Sequence, residues 1–112
     1  MASKEQYEKN LARYDEIVSR CKGFERQGKS MPFTSANGHM FSLLNKDGEL
    51  GFRYSKEVQE KYIEKWDSGY LKSHGATMRG YVMVPEKMYK NLNKLAEYLT
   101  ESYEYVMSLD PK

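Results

Sequence analysis

The chain has 112 residues, with 18 basic and 16 acidic side chains and a net charge of +2. This length fits one domain over residues 1–112, and the balanced charge argues against a dedicated nucleic-acid binder, which usually carries a basic stripe. The only cysteine, Cys21, excludes an internal disulfide. No apolar run approaches the ~20 residues of a membrane span, and the first residues lack the apolar segment of a signal peptide. We therefore expect a cytoplasmic protein without a membrane partner.

The first predicted element is a helix over residues 3–22. Ser3 suits the N-cap position, and Gly23 is expected to end the helix. Apolar residues recur at steps of three and four along one side, which predicts a narrow buried stripe: Tyr7, Leu11, Tyr14, Val18 and Cys21. On that stripe Cys21 is expected to be a small buried residue rather than a nucleophile paired with a histidine. A short strand follows near 30–34, and Pro32 places it at a sheet edge or at the start of a strand.

The hairpin over residues 37–54 organises the rest of the chain. Asp47-Gly48 lies between two apolar runs, which predicts a two-residue type I′ turn. A turn of that length pairs Leu43 with Phe52. Because side chains alternate along a strand, one apolar set is expected to face the helices: Phe41, Leu43, Leu50, Phe52 and Tyr54. The opposite face is expected to be at least partly free, and it carries Met40, Ser42, Leu44, Gly51 and Arg53.

The second half of the chain predicts further helices and strands. They are a helix from Ser55 to about Asp67, strands at 70–72 and 78–84, a helical turn at 86–90, and a last helix from Asn91 or Asn93 to about Leu109. The predicted order is α-β-β-β-α-β-β-α. It indicates an α+β, two-layer fold, with helices packed on a curved, mostly antiparallel five-stranded sheet.

Three segments, followed by an amphipathic C-terminal helix, resemble a known family: Gly38-His39-Met40-Phe41, Asp47-Gly48 and Met78-Arg79-Gly80-Tyr81-Val82-Met83-Val84-Pro85. In this order and spacing they resemble the N-terminal domain of the competence regulator TfoX/Sxy and its stand-alone relatives, over about residues 24–109. The resemblance implies a curved five-stranded antiparallel sheet with packed helices. It also implies a small interaction or regulatory module that acts through protein–protein contacts. Many relatives carry a glycine-rich segment where this chain has Met31-Pro32-Phe33-Thr34, so a transcriptional role is not carried over.

A partner surface is predicted on the open side of the sheet. Methionine, tyrosine and arginine are enriched at protein interfaces, and methionine surfaces can repack around varied partners. The predicted surface, for a protein partner or a homodimer, consists of Met40, Leu44, Arg79, Tyr81 and Met83. The alternative is that these are ordinary, scattered exposed residues.

The second functional hypothesis is a small enzyme or ligand-binding protein with a site around His39 and His74. These are the only side chains that ordinarily titrate near neutral pH. The sequence contains no phosphate-binding loop, CxxC, HExxH or GxSxG motif, so no cofactor, metal site or catalytic residue is predicted. A nucleic-acid role, disfavoured by the charge balance, would use four cations with Tyr81 as a stacking ring: Lys29, Arg53, Lys72 and Arg79.

Overall fold

The computed structural model describes residues 3–73 and 75–112. Among these residues, the elements in chain order are helix α1 (Lys4–Ser19), strands β1 (Phe33–Ala36), β2 (His39–Leu44) and β3 (Leu50–Arg53), helix α2 (Lys56–Trp66), strands β4 (Tyr70–Ser73) and β5 (Ala76–Met83), a short 3-10 helix (Glu86–Lys90) and helix α3 (Leu92–Met107). The strands form one antiparallel sheet in the order β1-β2-β3-β5-β4. The predicted α+β class and element order are confirmed. No helix within these ranges is long and apolar enough to cross a membrane.

The predicted caps position the helices. Ser3 Oγ accepts the N–H of Gln6, Ser55 Oγ accepts that of Val58, and Asn91 Oδ1 accepts that of Lys94, so each side chain satisfies one free donor of a first turn. Helix α1 ends at Ser19 rather than near residue 22. Its last turn tightens, because the next two N–H groups bond three residues back instead of four.

The loop between β2 and β3 differs from the predicted two-residue turn. Asn45 N–H donates to Glu49 O at 2.9 Å, which leaves three loop residues, 46–48. Asn45 Oδ1 also accepts the N–H groups of Asp47 and Glu49, at 3.0 and 2.9 Å. This side chain stabilises the longer loop, in which Gly48 adopts a φ of 76°. The predicted register is therefore wrong by one residue.

The observed pairing of β2 with β3 matches Ser42 with Phe52, Leu43 with Gly51 and Leu44 with Leu50. A bulge adds to the difference: Thr34 pairs with Ser42 and Ser35 with Met40, so β2 holds one extra residue, Phe41. The alternation of side chains changes at that residue.

The main core lies between the sheet and the helices. As predicted, Phe41, Leu50, Phe52 and Tyr54 belong to it; contrary to prediction, Leu44 belongs to it and Leu43 does not. Ser42 also points inward, where its hydroxyl lies 2.5 Å from that of Tyr14 and hydrogen-bonds Thr34. The bulge after Met40 is the physical reason, since it turns Phe41 and Ser42 toward the same side.

The reverse side of the sheet, predicted to be at least partly free, is partly covered. Leu43, Leu71 and Tyr81 are buried there, in a second cluster completed by Met31, Phe33, Met40, Met78 and Met83. Lys72 pairs with Thr77, and Tyr70 pairs with Val82. Between these two pairs, β5 covers five residue steps and β4 only two. This wide bulge includes Gly80, at a φ of 97°, and the β4–β5 hairpin curls toward β3. Leu71 thereby packs on Gly51.

Candidate functional site

The structure places the five residues of the predicted partner surface in different environments. Met40, Tyr81 and Met83 belong to the second cluster, and Tyr81 is only 7% exposed, with its hydroxyl donating to Met40 O at 2.9 Å. Leu44 is fully buried in the main core, so its assignment to an exposed surface is wrong. Arg79 alone among the five is exposed. Leu44 and Tyr81 are thus buried, whereas a protein partner or a homodimer stays a prediction.

The predicted histidine site is described only at His39. Its Nε2 lies 2.9 Å from Asp110 O. Nearby, Asn37 Nδ2 donates to Val106 O and Leu109 O at the end of α3, at 2.9 and 2.8 Å. These contacts hold the end of α3 against the β1–β2 turn, which is a structural role. His74 lies outside the described residues.

Cys21 lies between α1 and α3. Its Sγ is 3.4 Å from Ile17 O and 3.5 Å from Ala96 O, and burial raises the pKa of the thiol, which disfavours the reactive thiolate. Within residues 3–73 and 75–112, no group of three or more histidine, cysteine, aspartate or glutamate side chains is placed to hold a metal ion.

A concavity elsewhere on the surface is lined by basic, polar and aromatic side chains. We call it the basic groove. It encloses about 490 Å³, within the usual range for small-ligand sites, and its lining residues are Arg53, Tyr54, Lys56, Gln59, Tyr70, Thr77, Arg79, Gly80 and Tyr105.

Five elements build the basic groove. The end of β3 provides Arg53, the start of α2 provides Lys56, and the start of β4 provides Tyr70. The bulged part of β5 provides Arg79, and the last turns of α3 provide Tyr105. A bulge redirects the side chains of its strand, so the irregularity that curls the β4–β5 hairpin also places Arg79 beside the cavity.

Arg53 lies near Tyr105 and pairs with Tyr81 across the sheet. Its guanidinium carbon lies 5.8 Å from the centre of the Tyr105 ring, within the range of a cation–π contact. Burial raises the pKa of the Tyr81 hydroxyl to about 12, and the positive charge of Arg53 partly offsets that rise. The guanidinium of Arg53 thus lies close to both tyrosine side chains.

The charge of the basic groove is uncompensated among the described residues. The ion pairs found in residues 3–73 and 75–112 are Arg13–Glu86, Arg20–Glu16, Arg26–Asp15 and Lys94–Glu97. None of them involves Arg53, Lys56 or Arg79, and none of the described lining residues is acidic. Three positive charges thus border one cavity, an arrangement suited to a negatively charged group.

Sequence reasoning found only part of the basic groove. Arg53 and Arg79 were named as cations for a nucleic-acid role, but Lys29 and Lys72 line other surface depressions. Tyr70 and Tyr105 were not predicted as site residues. They come from elements far apart in the chain, so no local pattern marks them as neighbours.

Comparison with known proteins finds no matching family model, no matching curated protein and no matching solved structure. The resemblance to the TfoX N-terminal domain remains a prediction from the sequence.

Proposed function

We propose that this chain is a small, non-catalytic binding module, as its resemblance to the TfoX N-terminal domain implies, and that it recognises anionic groups of its partner through the basic groove. The proposal includes a regulatory role in the cytoplasm. The observation that carries it is the convergence of Arg53, Lys56 and Arg79 on one cavity without an acidic residue among its described lining. The element order and the five-stranded antiparallel sheet agree with the fold that the resemblance implies.

The physical basis is charge. Three cations that share a cavity repel one another, and a bound anion relieves that repulsion. Arginine offers a planar fork of N–H donors that matches the oxygens of a carboxylate or phosphate, and such charge-assisted hydrogen bonds are stronger than neutral ones. Arg53 is half-buried beside the ring of Tyr105, and partial burial strengthens the attraction of a cation for an anion.

The other lining groups support binding. Gln59 Nε2 donates to Tyr54 O at 2.7 Å, which holds the start of α2 against the end of β3 and fixes one wall of the groove. Thr77 adds an exposed hydroxyl that can donate or accept a hydrogen bond. Guanidinium, ammonium, amide and hydroxyl groups can together hold an anion in one orientation.

The proposal is tested by titrating isotope-labelled protein with inorganic pyrophosphate and following backbone amide signals by NMR. We expect the signals of Arg53, Arg79 and Gly80 to shift, and the affinity to fall as salt is added. Arg79→Gln should weaken binding about tenfold, because it removes a charged hydrogen-bond donor.

The matched controls for this titration are Lys22→Gln and Lys90→Gln, which remove one positive charge each from exposed positions that do not line the basic groove. They should leave the affinity nearly unchanged. Equal losses in the control and groove variants would show a general charge effect, and shifts centred elsewhere on the chain would overturn the proposal.

A further inference from the structure

We infer that the anion recognised by the basic groove belongs to a nucleotide, with its phosphate among Arg53, Lys56 and Arg79 and its base stacked on Tyr70. This inference rests on the proposed function and adds the chemical class of the ligand. It requires two features in one cavity: a cationic end for the phosphate and an accessible ring for the base.

The cationic end suits a phosphate. A phosphate monoester carries close to two negative charges at neutral pH and has three terminal oxygens, so it can engage several cations at once. Arg53 is half-buried beside Tyr105, whereas Lys56 and Arg79 are exposed and can adjust to the ligand. A single carboxylate, with one charge and two oxygens, would leave part of this positive charge unmatched.

The accessible ring is Tyr70. It is 38% exposed, and it is the only large aromatic side chain classed as exposed among the described residues. An exposed aromatic ring beside cations is the combination that nucleic-acid-binding proteins use to stack bases and hold phosphates. An acidic peptide would use the cations but would leave this ring without a planar partner.

The groove favours one nucleotide rather than a long strand. Its volume of about 490 Å³ is that of a small-ligand site. The chain has a net charge of only +2. Proteins that track a nucleic-acid backbone usually present a longer basic stripe. The expected ligand is therefore a nucleotide unit, either free or at an accessible position of a single strand.

The test compares four ligands by calorimetry at low salt: AMP, ribose phosphate, a glutamate-rich peptide and a thymidine octanucleotide. AMP should bind about tenfold more tightly than ribose phosphate, because only AMP can stack a base. An octanucleotide that binds no more tightly than AMP indicates a free nucleotide as the source. Tighter binding with a steep salt dependence indicates a single strand.

Tyr70 and Arg79 variants separate the two parts of the site. Tyr70→Ala should weaken AMP binding about tenfold and leave the affinity for ribose phosphate unchanged. Tyr70→Phe should retain the affinity for AMP. Arg79→Gln should weaken the binding of both AMP and ribose phosphate. Met107→Ala, at an exposed position outside the groove, is the matched control for loss of a large side chain.

The failure of this inference differs from the failure of the proposed function. Equal affinities for AMP and ribose phosphate, or AMP binding unaffected by Tyr70→Ala, would overturn the nucleotide while leaving an anion site that depends on Arg79. Tighter binding of the glutamate-rich peptide than of AMP would also overturn the nucleotide and leave the anion site. If pyrophosphate, AMP, ribose phosphate and the peptide all fail to bind, both proposals are overturned.

Discussion

At the scale of single residues, Gly51 determines how closely β4 can approach β3. A Cβ atom built on Gly51 would lie 2.6 Å from Leu71 Cδ2 and 3.0 Å from Leu71 Cβ. Leu71 is fully buried, so its side chain has little room to move away. The absence of a side chain at this position allows the second cluster to form.

Gly51→Ala should lower the free energy of unfolding by about 1–3 kcal/mol, because it overpacks a filled site. The matched control is Gly69→Ala, where a Cβ would meet nothing within 4 Å. That substitution should change stability by less than about 1 kcal/mol. Urea unfolding of both variants measures the difference, and equal effects would contradict the close packing of Leu71 on β3. Adding Leu71→Ala to Gly51→Ala should restore part of the loss.

At the scale of elements, two Asx-Gly pairs form turns of different length. Asn37-Gly38 forms the two-residue turn between β1 and β2, with positive φ angles of 55° and 79°. Asp47-Gly48 lies in a three-residue loop instead. Both dipeptides suit either turn, and the choice at the second depends on the side chain of Asn45.

Asn37 links this turn to the end of α3, and two substitutions separate its backbone and side-chain roles. Asn37→Gly keeps the positive φ but loses the hydrogen bonds to Val106 O and Leu109 O. It should cost about 1–2 kcal/mol and accelerate amide hydrogen exchange in the last turn of α3. Asn37→Ala should cost about 1 kcal/mol more, because alanine disfavours positive φ. Unchanged exchange in Asn37→Gly would contradict the capping role.

At the scale of the whole molecule, buried tyrosines limit stability at high pH. Burial is the main cause that raises the pKa of five of the ten tyrosines above its ordinary value: Tyr14, Tyr54, Tyr62, Tyr81 and Tyr89. The folded state therefore holds these hydroxyls protonated at pH values where the unfolded chain releases their protons.

The resulting stability should be fully present below about pH 10, the ordinary tyrosine pKa, and should fall as pH rises toward and beyond 12, the value for folded Tyr81. Circular dichroism and tyrosinate absorbance, followed together, should show cooperative unfolding coupled to ionisation. Tyr81→Phe removes one of these groups and should make the stability depend less steeply on pH in this range. Ionisation of every tyrosine near pH 10 with the fold retained would contradict this account.

The sequence by itself determined the element order, the N-caps Ser3 and Ser55, and the α+β class, because these depend on local propensity and on the periodicity of apolar residues. The tertiary structure decided which faces Leu43 and Leu44 occupy and which side chains meet in the basic groove. Bulges at Phe41 and around Gly80 change the alternation of a strand and the curvature of the sheet. A shift of one residue reverses the face of every side chain beyond it, and pairing between strands, which no local segment contains, sets that shift.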